Sequence, residues 1–425
     1  MKILWSLEYE RSSWRWIWRV LAKAEAKAGL IPDYALEDIL RTRPLNLDRS
    51  IKLERETHHD LTAELTCYQE QCPIGGRYLH LGATSADIKD NADAIRIKWG
   101  LNYIISNLGS LLHIFDEQIR AYSNIVVMGF THLQPAEPTT VGYRLAQYAQ
   151  DLKSDLSELI RVRNSIRGKG IKGAVGTSAS FDVLLKGSNM TPGHLESLVM
   201  DELGIGAFEI TTQVYPRKQD WHVLNALAGL GMSLYRFAFD VRLLQSDIGG
   251  RCWMKSYDGI GQAGSSTMPV KSNPVDAEKI DSLARYLAVL PRVAWDNAAH
   301  SLLERTLDDS ASRRLLLPEA FIIADELVGT AAGLIHNLVV LEDDMSRYPT
   351  AGMESLLMTL CRAGADRVKM YDHLSRLYRK VSLEDFKHDP VLNQIISPAE
   401  IDAALNVTTY IGIAPDKARK FANES

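Results

Sequence analysis

Apolar residues recur along this chain at steps of three and four. Leu101, Ile105, Leu108, Leu112, Phe115, Ile119 and Tyr122 form one such run. Leu145, Ala149, Leu152, Leu156, Leu159 and Ile166 form a second, and Val223, Leu227, Leu230, Leu234, Val241 and Leu244 a third. Ile280, Leu283, Leu287 and Leu290 make a fourth, with a kink expected at Pro291, and Leu317, Phe321, Leu327, Ala331, Leu334 and Leu338 a fifth. Steps of this kind over many turns give narrow apolar seams, the pattern of long bundled helices. No strand-period region separates the runs, so an all-α fold is expected.

The flanks read differently. Residues 1–90 mix short helical patterns with turns: an aromatic helix after Ser12 and Ser13, a second from Asp33 to Arg41, and a third over Glu54–Leu65. Beyond residue 341 the segments Met353–Ala363, Asp366–Lys380, Leu383–His388 and Pro398–Leu405 predict a small helical region, with fraying expected from Phe421. Three helical domains follow from this reading: 1–90, a central bundle over 91–341, and 342–425.

Composition narrows the class of molecule. The 425 residues are 46% hydrophobic and 24% charged, ordinary for a globular protein. A net charge of −5 argues against nucleic acid as the main partner. Four cysteines make no disulfide framework in so long a chain, and Cys67 and Cys72 lack the second pair a zinc site needs. Charge interrupts the N-terminus after Leu7, so no signal-peptide core is expected. No apolar run reaches the roughly 20 residues of a membrane span, and the expectation is a cytoplasmic protein with no membrane partner.

Four stretches carry candidate chemistry. Gly264-Ser265-Ser266-Thr267-Met268-Pro269-Val270-Lys271-Ser272-Asn273-Pro274 is a loop offering hydroxyls, an ammonium and an amide, feeding a helix capped by Asn273 and Pro274. Those groups can take a proton and hold developing negative charge. Gly129–Thr140 places His132 between hydroxyls in a proline-stiffened turn, a setting for a general acid. His80–Asp87 carries Thr84 and Ser85, which serve as a helix cap or as donors to a substrate carboxylate. Leu303–Arg314 brackets serines with arginines, either a self-paired solvated run or a phosphate clamp. Gly168–Gly173 has the letters of a dinucleotide fingerprint but follows a helix rather than a strand, so it reads as a connector.

Taken together and in this order, over roughly residues 50 to 340, the stretches resemble the fumarase/aspartase superfamily. Glu304–Arg314, supported by Thr212–Lys218, is most similar to the adenylosuccinate lyase branch, which releases fumarate from succinylated nucleotides. The resemblance implies that Ser265 is the general base, His132 the general acid, Glu278 the carboxylate orienting that acid, and His59 a second histidine of the site. It implies that Lys271 and Asn273 neutralise carboxylates, that Thr84, Ser85, Thr131 and Gln213 hold substrate, and that Arg305, Ser310 and Arg314 contact the nucleotide and its phosphate. The chemistry implied requires no redox or metal cofactor, and the fold implied is a homotetramer with sites built from several chains. One departure stands out. An adjacent Arg-Tyr pair that grips phosphate in the family is replaced here by Leu7-Glu8-Tyr9-Glu10-Arg11, leaving Tyr9 and Arg11 as candidate substitutes. Two rivals stay open: a relative cleaving another succinylated amine, argininosuccinate among them, and a non-enzymatic protein on the same scaffold.

Overall fold

The computed structural model describes residues 1–246, 254–255, 268, 271–341 and 343–424. Ser265, with most of the loop that carries it, lies outside the described residues.

The chain is helical almost throughout. Helix α1 (Leu7–Lys27) starts well before the serines expected to open it, because Ser6 accepts the Tyr9 N–H at 3.2 Å and Glu8 and Glu10 sit in the first turn. Its buried stripe of Trp14, Ile17, Trp18 and Leu21 follows helical spacing. After α2 (Asp33–Leu40), the single helix expected over Glu54–Leu65 is two, α3 (Leu47–Thr57) and α4 (Asp60–Gln71). His58 turns left-handed (φ 54°) between them, and His59 caps α4.

Helix α5 (Ser85–Ala121) runs for 37 residues, about 55 Å at 1.5 Å per residue. A β-hairpin follows, β1 (Val126–Thr131) and β2 (Gln134–Thr140), antiparallel, with Val126 opposite Thr140 and Thr131 opposite Gln134. This corrects the expectation of a simple turn. Prolines 135 and 138 obscure the strand pattern, yet a two-stranded hairpin has only edges, where proline is tolerated. Gly129 lies at the register irregularity, where a Cβ would come within 2.6 Å of the Glu137 carbonyl oxygen.

Then come α6 (Val141–Ser165), α7 (Ala179–Leu184), α8 (Pro192–Leu203) and α9 (Lys218–Gln245). Gly168–Gly173 lies between α6 and α7, as a connector should. The fourth apolar run divides into α10 (Val275–Leu287) and α11 (Leu290–Ala299), with Pro291 in the first turn of α11. Helix α12 (Asp308–His336) contains Pro318. The C-terminal helices are α13 (Met353–Arg362), α14 (Arg367–Tyr378), α15 (Pro390–Asn393), α16 (Pro398–Leu405) and α17 (Ala414–Asn423). The last of these carries the helix through Asn423, past the point where fraying is expected: Lys153 Nζ lies 3.6 Å over the Phe421 ring, and the Phe421 carbonyl accepts from the same ammonium.

Two compact units can be distinguished. One comprises Met1–Leu108, Asp155–Met232 and Ser282–Val328; the other comprises Gly109–Ser154, Ser233–Asp281 and Gly329–Ser425. Among the described residues, no helix is long and apolar enough to cross a membrane.

Candidate active site

The start of α5 is pinned by one buried carboxylate. Asp87 accepts the backbone N–H groups of Thr84 (2.8 Å), Lys172 (3.0 Å) and Gly173 (3.1 Å), and pairs with the buried Lys169 ammonium. Four donors on one carboxylate fix the Thr84–Ser85 turn far more firmly than a solvent-exposed cap would. Beside it, His59 Nδ1 accepts the Thr62 N–H at 3.2 Å, which places the proton of a neutral imidazole on Nε2. That nitrogen lies 3.4 Å from Ser85 Oγ. His59, Thr84 and Ser85, distant in sequence, are thus brought together. His80 accepts the Trp18 indole N–H at 3.0 Å; burial, with His59 nearby, lowers its pKa to about 4, so it is neutral at pH 7.

A polar cavity of about 370 Å³ opens where α12 begins. Arg11, Lys89, Arg96, Arg313, Arg314 and Ser310 line it together with Glu10, Glu54, Asp60 and Asp93. Arg11 spends its guanidinium on the Asp60 carbonyl oxygen (3.0 Å) and the Glu54 carboxylate (2.6 Å). Asp60 Oδ2 receives both Lys89 Nζ (2.6 Å) and Arg314 (3.0 Å). Burial opposes ionisation of Asp60, but Lys89, Arg314 and the Leu61 N–H outweigh it and hold the carboxyl below its usual range. Tyr9 does not line this cavity; its ring meets Trp99 edge-on at 6.2 Å.

Arg313 and Asp93 carry the lining into a buried network. Arg313 bonds Asp220 (2.7 Å), Asp93 (3.3 Å) and the Tyr215 hydroxyl (2.8 Å). Arg217 bonds Asp90 (2.9 Å) and Asp309 (2.6 Å), and Asp309 in turn holds Arg305 at 2.9 Å. The Gln213 N–H donates to the Glu304 carbonyl at 3.1 Å, tying the Thr212–Lys218 stretch to Glu304–Arg314. The two segments that carried the closest resemblance in sequence therefore meet in space.

His132 is set differently. It forms the tip of the hairpin with Leu133, both left-handed (φ 53° and 57°), as a two-residue turn of the primed kind requires. Positive φ at a leucine is a strained choice, and both residues are exposed. Thr131 beside them is exposed as well. The base of the hairpin is firm: Met128 N–H donates to Asp343 (3.1 Å), Arg144 donates to the Met128 carbonyl (2.6 Å), and Phe130 packs against Tyr348. His132 itself makes no hydrogen bond among the described residues. Lys271 is exposed, Asn273 half-buried, and Glu278 lies in the first turn of α10, 3.8 Å from Arg242.

Sequence reading passed over Asp60, Lys89 and Arg96. A signal was present for one of them: Lys89 follows Ser85 by four residues, so it shares a helix face with a residue already singled out. Among the described residues, no group of three or more His, Cys, Asp or Glu side chains is placed to hold a metal ion.

Comparison with known proteins identifies a family for the chain. The profile of a family described as Lyase matches residues 5–287. The chain is 32% identical to adenylosuccinate lyase of Schizosaccharomyces pombe, over 100% of its own length and 92% of the relative's. It is 31% identical to adenylosuccinate lyase of Pyrococcus abyssi, over 94% and 88%. Among solved structures, a fumarate lyase from Mesorhizobium sp. BNC1 superposes with a TM-score of 0.87 at 21% identity, covering 100% of this chain and 97% of that one, which speaks to the fold. With its helical architecture, the matched profile and full-length relatives in agreement, the chain belongs to the lyase family, in the company of these adenylosuccinate lyases.

Proposed function

We propose that the protein is a C–N lyase that cleaves adenylosuccinate to AMP and fumarate, and the succinylated imidazole-carboxamide ribotide to its carboxamide and fumarate. The observation that carries the nucleotide part is the cavity at the start of α12. Cations outnumber carboxylates there five to four, and Ser310 adds a hydroxyl. A nucleotide phosphate, an anion additional to the two carboxylates that every succinylated amine carries, suits this cluster of forked and point-charge donors.

In the reaction, Ser265 takes the Cβ proton of the succinyl group. The electron pair left behind forms the new C=C bond as the C–N bond breaks, and His132 returns a proton to the departing nitrogen. Lys271 and Asn273 offset the negative charge that builds on the succinyl carboxylate in the carbanion. Glu278 orients the His132 imidazole. Thr84, Ser85, Thr131 and Gln213 hold the substrate, with His59 facing Ser85. Arg305, Ser310 and Arg314 take the nucleotide and its phosphate, with Arg11 bracing the cavity wall. The enzyme acts as a cytoplasmic homotetramer organised in three helical domains (1–90, 91–341, 342–425), each site drawing on more than one chain. In support, Met232, Phe239 and Leu243 of α9 are 70%, 49% and 41% exposed at helical spacing, an apolar stripe that neighbouring chains would cover.

The test is a fumarate-release assay across adenylosuccinate, the imidazole ribotide and argininosuccinate. Release from the two nucleotides alone is expected. Release only from a non-nucleotide substrate, or from none, overturns the proposal.

A further inference from the structure

Of the five cations in the cavity at the start of α12, three are already committed. Arg11 is buried and holds Glu54 and the Asp60 carbonyl. Arg96 is buried against Glu10 and Asp93. Arg313 is buried against Asp220, Asp93 and Tyr215. The remaining two, Lys89 and Arg314, share a single partner: both reach the same oxygen, Asp60 Oδ2. One carboxylate oxygen between two cations leaves one charge unbalanced.

The donors are unbalanced too. An ammonium has three N–H groups and a guanidinium five. Among the described residues, Lys89 and Arg314 each give one hydrogen bond, to Asp60, and the Lys89 ammonium also lies 5.4 Å over the Trp14 ring. The Ser310 hydroxyl, in the first turns of α12, also lines the cavity.

Building on the nucleotide reading above, we infer that Lys89 is a phosphate-binding residue, acting beside Arg314 at the cavity. Asp60 positions it. By holding Lys89 and Arg314 on one oxygen, Asp60 brings two charges to a single point before any ligand arrives, so less side-chain freedom is lost on binding. Lys89 suits the task because its donors splay around a point charge: one stays on Asp60 while the others turn to the ligand. Tyr9 is turned to Trp99 and Arg11 is occupied, so neither offers the same free donors. Lys89 therefore discriminates nucleoside monophosphates from nucleosides.

The experiment compares the whole enzyme with its Lys89→Met and Lys89→Arg variants. The readouts are KM and kcat for adenylosuccinate, binding of AMP and of adenosine by calorimetry, and the thermal midpoint. For Lys89→Met, losing a charge-assisted bond should weaken AMP binding about 10- to 100-fold and raise KM by a similar factor. kcat should fall less than KM rises, adenosine binding should stay the same, and Lys89→Arg should recover much of the loss. Unchanged AMP binding overturns the inference. So does an equal loss for AMP and adenosine, since that marks a structural role for the Lys89–Asp60 pair. Were the wild type to bind AMP through Lys89 yet release no fumarate, the substrate reading would fail and the phosphate site would stand.

Discussion

The cavity at the start of α12 and the tip of the β1–β2 hairpin solve opposite problems. Around the cavity nearly every charge is already paired within one chain: Arg217 with Asp90 and Asp309, Arg313 with Asp220, Lys89 and Arg314 with Asp60. At the hairpin tip His132 stands exposed, in left-handed backbone, without a hydrogen-bond partner among the described residues. Recognition of a fixed anion gains from donors set before the ligand arrives. An acid that acts on a departing nitrogen, the role proposed for His132, must be carried to its substrate, and a short hairpin with an anchored base suits that task. The cavity is braced by pairs within the chain, whereas the hairpin tip is presented outward.

The comparison breaks most sharply at His132. His132→Ala should lower kcat by about 10²- to 10⁴-fold, the usual range for a general acid, with no change in thermal midpoint because the side chain supports nothing around it. Steady-state kinetics beside a melting curve would show it; a near-normal rate removes His132 from the chemistry. Arg217→Ala should do the reverse. It leaves Asp90 buried with the Tyr215 N–H but without its bonded cation, and Asp309 with Arg305 alone, a loss of about 3–5 kcal/mol in denaturant unfolding. A cost under about 1 kcal/mol would mean that the network contributes little to holding Arg305 and the start of α12 in place.

A smaller effect is expected at Arg314, which is half exposed and makes a single ion pair. Arg314→Ala should raise KM for the nucleotide about 10-fold with little change in stability. Equal KM values would take it out of the phosphate clamp. A further effect, on stability rather than on binding, concerns His80. Its folded pKa of about 4 lies below the unfolded value near 6.5, so the unfolded chain binds more protons between those limits. Stability should therefore be full above pH 6.5 and fall as the pH drops toward 4, by roughly 1–3 kcal/mol. His80→Asn should flatten that slope; an identical slope would mean that another group is responsible.

How much of this was legible beforehand depends on what each feature rests on. The long helices were plain, since burial of one face is written into the stepping of residues such as Leu101, Leu108 and Phe115. The hairpin was not, because Pro135 and Pro138 erase strand alternation and only the positive φ of His132 and Leu133 betrays the turn. The break at His58–His59 was hidden for a similar reason: nothing in Glu54–Leu65 but a left-handed histidine interrupts a helical pattern. In the site, serines, histidines and arginines at familiar spacing could be picked out. Asp60 and Lys89 could not be paired from sequence, because 29 positions separate them and only the fold puts carboxylate and ammonium together. Glycines 129 and 176 were equally silent, although a Cβ at Gly176 would come within 2.0 Å of the Thr211 carbonyl oxygen, beside the Gln213 segment.

If the paired region and the presented region complete one another across chains, two inactive variants should rescue each other. His59→Ala and His132→Ala proteins, unfolded together and refolded, would form mixed tetramers in which some sites draw an intact His59 from one chain and an intact His132 from another. Fumarate release from adenylosuccinate should return to roughly a quarter of the native rate, the chance that both chains at a site are intact where they need to be. A mixture as inactive as its parents, with mixed tetramers verified by mass, would contradict the sharing of sites between chains.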